Sequence, residues 1–456
     1  MKSNIFWRIA WRGLKLNARR HLLTGSALAI GFASTVLLGG WMMNLEHYLV
    51  AKVVYLDQMG HVVLFKKDGR IKHVSHPGQF SFSPEEQAGI EKAITETDQG
   101  RIEKFGKSLR GAGLASNGCF AFPFITNAVE PAMESWTRQH PMVTENVPEL
   151  VNPKKGVGYW KEGAAKSATP ITLSPRMSTI LGKPATISET GKPASAEMVD
   201  CKSPGSGRTI ASDAGVQLMV KGFHGGISAI DAEVVGHSST GLSFEDETYL
   251  GMPLADAKSL FNTDNVTHYH VYLKDPAQHA KIQKDLQEKL EGLGVKAEVR
   301  TYKEREIGEF YVGTMSFIYV MIINFIVLVC GIAVLSIVNA LSISLVERRA
   351  EIATLRAIGF RNRSISSLFL RENVMLGLLS FAVGGAISWG FAKWVNSADI
   401  RYTLPSFEGK PQLLLKPELG LSFTIGFLLF ALVCIATVAT CSHFMKSQIA
   451  DTSGGH

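Results

Sequence analysis

The chain has 456 residues, 46% of them hydrophobic and only 19% charged, which leaves room for membrane helices beside an ordinary soluble domain and excludes a purely soluble protein. The formal net charge of +7 does not point to nucleic acid, because many of the bases flank long apolar runs, where they face anionic lipid headgroups. Five cysteines are too few for a disulfide framework. Cys330, Cys434 and Cys441 fall in or beside apolar runs, and Cys119 and Cys201 are either bridged in an oxidising compartment or free thiols.

At the start, residues 1–21 place Arg8, Arg12, Lys15 and Arg19 on one helical stripe, with Trp7, Trp11 and Leu14 on a neighbouring one; this predicts an interfacial helix on the cytoplasmic membrane face. Residues 22–45 carry no charge and are long enough to span, as an uncleaved anchor and first transmembrane helix. Residues 46–311 contain no run that could span, so they predict a large extracytoplasmic α+β domain. Its first part offers His61–Lys67 as a strand and Ser83-Pro-Glu-Glu86 as a capping box that opens a helix with Ile90 and Ile94 inward. Its last part repeats the plan: Tyr269, Val271 and Leu273 alternate on a strand, Ile282, Leu286 and Leu290 line a helix closed by Gly292 and Gly294, and Val295–Thr301 returns as a strand. Two small α/β units thus bracket a central insertion at about 111–226, rich in proline, glycine and serine, where strands and loops are expected.

Residues 316–346 predict the second span and 373–395 the third. Residues 396–418, with Pro405, Pro411 and Pro417, form an outward connection; 419–441 are the fourth span and 442–456 a cytoplasmic tail. Between the second and third spans, 347–372 is a short cytoplasmic loop. In it an apolar helix is expected to run without a break into a charged amphipathic one from Glu347 to Ile358, with Ile352, Leu355 and Ile358 at helical spacing. Gly359 ends that helix in the left-handed region and Asn362 caps the next. Basic residues beside a span follow from orientation alone; an ordered helix carrying acids, bases and an apolar stripe is better read as a docking surface.

The wording of this loop, ERRAEIATLRAIGFRNRSISSLFLRE, resembles the signature loop of FtsX-type ABC-transporter permeases, the group containing macrolide-exporter and lipoprotein-releasing permeases. The resemblance returns at Thr248–Phe261, TYLGMPLADAKSLF, and runs to about Ser442. It implies an α-helical membrane protein with four transmembrane helices and a porter-like α/β periplasmic module interrupted by a β-rich insertion, in a bacterial inner membrane. It further implies a coupling helix that seats on a cytosolic ABC ATPase dimer, with Glu347, Arg348, Arg349, Glu351, Ile352, Leu355, Arg356, Ile358, Gly359, Arg361 and Arg363 as contact residues. ATP would be bound by that partner, so no cofactor is expected here. A second permease copy or paralogue, membrane lipid, and a periplasmic carrier, adaptor or hydrolase complete the implied partners; nucleic acid is not among them. The tail carries less arginine than the family's.

No catalytic constellation emerges, and an enzyme is not expected. Gly100-RIEKF-Gly106-Lys107-Ser108 has five residues between its glycines where a phosphate loop needs four. His73 with His76, and His268 with His270, are pairs without a clear third metal ligand and read as surface histidines. Gly236–Gly241 lacks the spacing of a nucleophile elbow, and Asn265-Val-Thr267 is a chance sequon. The span cores lack ionisable residues, so energy must arrive from outside the membrane. The function expected is force transmission from the ATPase to the periplasmic domain, to extrude or release a lipoprotein-like or hydrophobic substrate; the alternative is a non-transporting switch for a periplasmic partner such as a cell-wall hydrolase.

Overall fold

A computed structural model describes residues 18–151, 168–183, 198–200, 209–211, 215–403 and 411–453. The expected interfacial helix lies outside these except for its last residues, as do Cys201, Pro405 and the end of the tail. The chain divides into two compact units, one of Met1–Leu45, Met315–Ile400 and Gln412–His456, the other of Glu46–Thr314 and Arg401–Pro411.

In chain order, α1 (Ala18–Val50) runs into a π-helical turn (Ala51–Leu56), followed by β1 (Val62–Lys66), α2 (Gly69–Lys72), α3 (Pro84–Asp98), β2 (Ile102–Ser116), β3 (Ala121–Val129), α4 (Pro131–Gln139) and α5 (Pro141–Asn146). Then come β4 (Thr169–Leu173), α6 (Pro175–Ile180), β5 (Met198–Asp200), β6 (Thr209–Ala211), β7 (Gly215–Lys221), β8 (Ile227–His237), α7 (Ser243–Asp246), β9 (Leu250–Gly251) and α8 (Leu254–Phe261). The chain closes with β10 (His268–Leu273), α9 (His279–Gly292), β11 (Ala297–Thr301), α10 (Glu309–Glu347), α11 (Arg349–Ala357), α12 (Asn362–Ser397) and α13 (Leu419–Ser453).

Four helices among the described residues are long and apolar enough to cross a bilayer: His21–Leu56, Glu309–Glu347, Asn362–Ser397 and Leu419–Lys446. In the helical unit α1 packs against the other three. Leu28 joins Ala333, Ile337, Val433 and Ala436, while Phe32 and Val36 join Ile425 and Leu429. Small residues set the closest approaches. A Cβ on Gly384 would stand 2.5 Å from the Ala29 carbonyl, so only glycine lets α12 lie against the α1 backbone. The opposite face of α10 leaves Phe317, Val320, Ile323 and Val327 exposed, as contact with lipid requires. Asn324, a polar residue within this span, satisfies its amide on the Val320 carbonyl at 2.8 Å.

The other unit is built on a nine-stranded sheet in the order β11-β1-β10-β2-β7-β8-β4-β9, with β3 paired to β2. The first four strands with α3 and α9 are two interlocked β-α-β units, the split arrangement of ferredoxin-like folds. Its local signals are legible. Ser83 Oγ accepts from the Glu86 N–H and Glu86 Oε2 accepts from the Ser83 N–H, with Pro84 in the first turn. Ile90, Ile94, Ile282, Leu286 and Leu290 are all buried. β10 is buried along its whole length rather than on alternate residues, because strands flank it on both sides and structure covers both faces.

The expected insertion at 111–226 does not stand apart among the described residues. β2 is fifteen residues long: its amino half pairs with β10, and its carboxyl end, Gly113–Ser116, pairs with β7. One core therefore contains Leu64, Ile94 and Leu286 together with Phe124, Leu218 and Val234. The glycines that read as loop residues are bare backbone inside the strand, where the Phe261 ring packs on Gly111 and the Phe124 ring on Gly113.

The histidine pair His268 and His270 is not on the surface either; both side chains are fully buried. His270 Nδ1 meets the Ser108 hydroxyl at 3.1 Å and His268 Nδ1 the Thr267 hydroxyl at 3.0 Å. Burial pushes His270 down to about 3, and His61, whose Nδ1 accepts the Leu273 N–H, likewise to about 3. The phosphate-loop-like stretch is strand, with Lys107 paired to Glu91 at 3.0 Å. Gly236–Gly241 folds around the Asp246 carboxylate, which accepts from Ser239 and from Thr240. Cys119 is disulfide-bonded. One feature had no sequence signal: the π-helical turn buries Lys52 between Asp57, at 2.5 Å, and Glu245, at 2.9 Å.

Candidate coupling site

The loop expected over 347–372 is almost entirely helical, and the helix entering it is broken. α10 ends at Glu347, Arg348 leaves helical geometry at φ −93° and ψ 21°, and α11 starts at Arg349. The reason for the break lies in the Arg348 side chain. Its guanidinium donates to Glu372 Oε2 at 3.2 Å and lies 3.5 Å from Oε1, while it covers the Phe369 ring at 5.9 Å. Glu372 is only 4% exposed and also meets His21 Nε2 at 3.1 Å. A buried carboxylate on α12 thus ties the end of α10 to the start of α1.

α11 closes in a Schellman motif. The Phe360 N–H donates to the Leu355 carbonyl at 3.0 Å and the Gly359 N–H to the Arg356 carbonyl at 2.9 Å, with Gly359 at φ +96°. The expected role of Gly359 is present. Asn362, in contrast, is the first residue of α12; Arg361 occupies the cap position and its side chain makes no capping bond.

The apolar stripe divides. Ile352 is buried with Leu341, Leu345, Ile365, Phe369, Cys441 and Met445, and Leu355 packs partly against the same cluster. Those two residues seat α11 on its own spans rather than on a partner, whereas Ile358 is 71% exposed. Phe360, which sequence reasoning passed over, is exposed beside it. Glu347, Arg349, Glu351, Gly359, Arg361 and Arg363 are exposed, and Arg348 and Arg356 are half-buried, Arg356 reaching the Met445 thioether. The structure therefore brings together an anchor of Arg348, Ile352, Leu355 and Glu372, and a rim of exposed bases around Ile358 and Phe360. His21, Glu372 and Phe360 were missed. An acidic residue at the head of an apolar run was the available signal for Glu372. Among the described residues no group of three or more His, Cys, Asp or Glu is placed to hold a metal.

No curated protein matches the chain. Among solved structures, the extracellular domain of the noncanonic ABC-type transporter YknZ from Gram-positive bacteria is similar at 14% identity, over 53% of this chain and 99% of that one, with a TM-score of 0.29. The periplasmic region of MacB from Actinobacillus actinomycetemcomitans is similar at 12% identity, over 55% of this chain and 91% of that one, with a TM-score of 0.31. Residues 323–448, which contain the Arg348–Glu372 anchor, α11 and the exposed rim, match the FtsX-like permease C-terminal family and make this part of the chain an FtsX-like permease C-terminal domain.

Proposed function

We propose that the chain is the permease subunit of an ABC transporter, which passes ATPase-driven motion to its extracytoplasmic domain to extrude or release a lipoprotein-like or hydrophobic substrate from the inner membrane. The observation that carries this reading is the build of the bracket. α11 is fixed to the membrane helices by Ile352 and by the buried Arg348–Glu372 pair, yet leaves Ile358, Phe360 and five charged positions uncovered. A push on that rim is delivered to α10 and α12 rather than absorbed by a loose loop. The ATPase itself comes from a separate cytosolic chain, and two permease subunits pair, since four helices enclose little.

The test is copurification of the full chain from its native membrane, followed by ATP turnover with and without the recovered ATPase. The chain alone should show none, the complex should hydrolyse ATP, and reconstituted vesicles should release substrate only with ATP. Robust turnover by the lone chain overturns the proposal. A recovered cell-wall hydrolase with no released substrate would replace transport by regulation of that partner.

A further inference from the structure

The sheet unit contains a cleft of about 750 Å³ remote in sequence from the coupling bracket. Its walls are fixed by backbone. α2 and the turn after it supply Arg70, His73 and His76, β2 supplies Arg110, the end of β7 supplies Lys221, and the tight turn between β7 and β8 supplies His224. That turn reverses the chain with Gly225 at φ +90° and Gly226 at φ +82°, and is tied down by the Phe223 N–H on the Phe261 carbonyl at 3.0 Å. Gly78 brings the opposite wall so close that a Cβ there would stand 2.7 Å from the Phe223 carbonyl oxygen. His73 is held by its Nδ1 on the Gly69 carbonyl at 2.8 Å.

The charge of the lining is one-sided. Three permanent cations and three histidines line the cleft, and among the described residues no carboxylate does. Arg70 donates to a neutral acceptor, the Glu306 carbonyl, at 3.0 Å, and neither Arg110, whose charge acts on the Asp57 carboxylate only from beyond contact, nor Lys221 is in an ion pair among the described residues. Elsewhere in this unit Lys52, Lys66, Arg101 and Arg300 are each matched by a carboxylate. Like charges gathered in a concavity repel one another and focus a positive potential, which an anion relieves. Guanidinium groups match the geometry of a phosphate. The volume far exceeds a bare phosphate and falls in the range of small-molecule sites, and Phe223 and Phe261, 5.7 Å apart between ring centroids, add an apolar wall.

We propose that this cleft binds the phosphate group of an organic phosphate ester, with the organic body against Phe223 and Phe261. The phosphate can belong to a soluble ester or to a lipid headgroup. Titration calorimetry on the detergent-solubilised full chain separates the two, with phenyl phosphate as the soluble probe and dihexanoyl phosphatidic acid, below its micellar concentration, as the lipid probe. Dihexanoyl phosphatidylcholine tests whether a quaternary ammonium is refused. Saturable binding of either phosphate, tighter than that of inorganic phosphate, is expected, and the tighter of the two identifies the source. The double variant Arg110→Gln, Lys221→Gln should weaken it on the order of tenfold or more by removing two charge-assisted contacts. Lys284→Gln, an exposed base on α9, should leave it unchanged, and an unaltered thermal transition shows that the double variant is folded. Absence of saturable binding, equal binding of the phosphatidylcholine, or equal loss in Lys284→Gln and the double variant overturns the proposal.

Discussion

Removing the carboxylate of Glu372 offers the sharpest test of the bracket's internal anchor. In Glu372→Leu the Arg348 guanidinium, 16% exposed, loses its one ion-pair partner among the described residues and keeps its position between α10 and α12. Leaving a buried charge unpaired costs 3–5 kcal/mol; the exposure of Arg348 and its second contact of 3.5 Å put this case near 3 kcal/mol. Arg348→Met strands the carboxylate at a similar cost. The double variant, with two apolar side chains packed beside Phe369, should return to within about 1.5 kcal/mol of the native chain, a coupling of several kcal/mol that two independent surface residues would not show. The assay is native-state proteolysis with trypsin, whose targets Arg361 and Arg363 are exposed at the turn. If cleavage follows local opening of α11, each single variant should be cut roughly a hundredfold faster and the double variant only several-fold faster. Additive single effects, or unchanged cleavage in Glu372→Leu, would refute the claim that this pair holds α11 to the spans.

Ile358→Asp, on the exposed rim, should leave the fold within about 0.5 kcal/mol of native yet weaken ATPase recovery roughly a hundredfold, whereas Ile352→Asp should unseat α11 and open the trypsin sites; equal ATPase recovery with Ile358→Asp contradicts the docking surface. Gly359→Val puts a β-branched residue at φ +96°, so it should retain the ATPase but lower the stimulation of turnover by substrate; normal stimulation means the turn's geometry is not part of coupling. Acid should weaken the sheet unit, because His61 and His270 have folded values near 3 against an unfolded value near 6.5. Their contribution is fully present above pH 6.5 and is lost as pH falls toward 3, on the order of 2–3 kcal/mol per ring by pH 4. His270→Gln should flatten part of that slope in thermal unfolding at stepped pH, and an unchanged slope would assign the acid sensitivity elsewhere. Cysteines placed at Thr95 and Ser364 should label from opposite sides of the membrane, Thr95 in intact cells and Ser364 only after permeabilisation; labelling on the same side ends the four-span topology.

Which of these residues could be read from sequence depended on how far apart their partners lie. The capping box at Ser83 and the Schellman glycine at Gly359 are complete within a few residues, and the rows Ile282, Leu286 and Leu290 need only a period. Arg348 and Glu372 lie 24 positions apart and His21 far from both, so nothing local marked them as one cluster. Composition misled where it stood in for geometry. The glycines of β2 counted as loop formers, although in the strand they serve close packing of Phe261 and Phe124. Periodicity also has a limit of principle: Ile352, Leu355 and Ile358 announce a buried stripe without saying against what.

Under the proposed function, that limit bears on where force would enter the membrane helices. Had the whole stripe faced the ATPase, α11 would be a lever hinged at both ends and free to roll, and motion of its partner would be dissipated in the loop. With Ile352 and Leu355 committed to α10, α12 and α13, and Arg348 clamped to Glu372, the helix cannot roll without breaking a buried cluster and a buried ion pair together. The apolar surface left for a partner is at the end of α11 and the turn, Ile358 and Phe360, next to the first residues of α12, with Glu347, Arg349 and Glu351 exposed along the start of the helix. Under the proposed function, contact there would act on α12 directly through the chain and on α10 only through the anchor. Mutations that loosen the anchor should therefore spare ATPase binding and lose transmission to α10, the reverse of what Ile358→Asp should do.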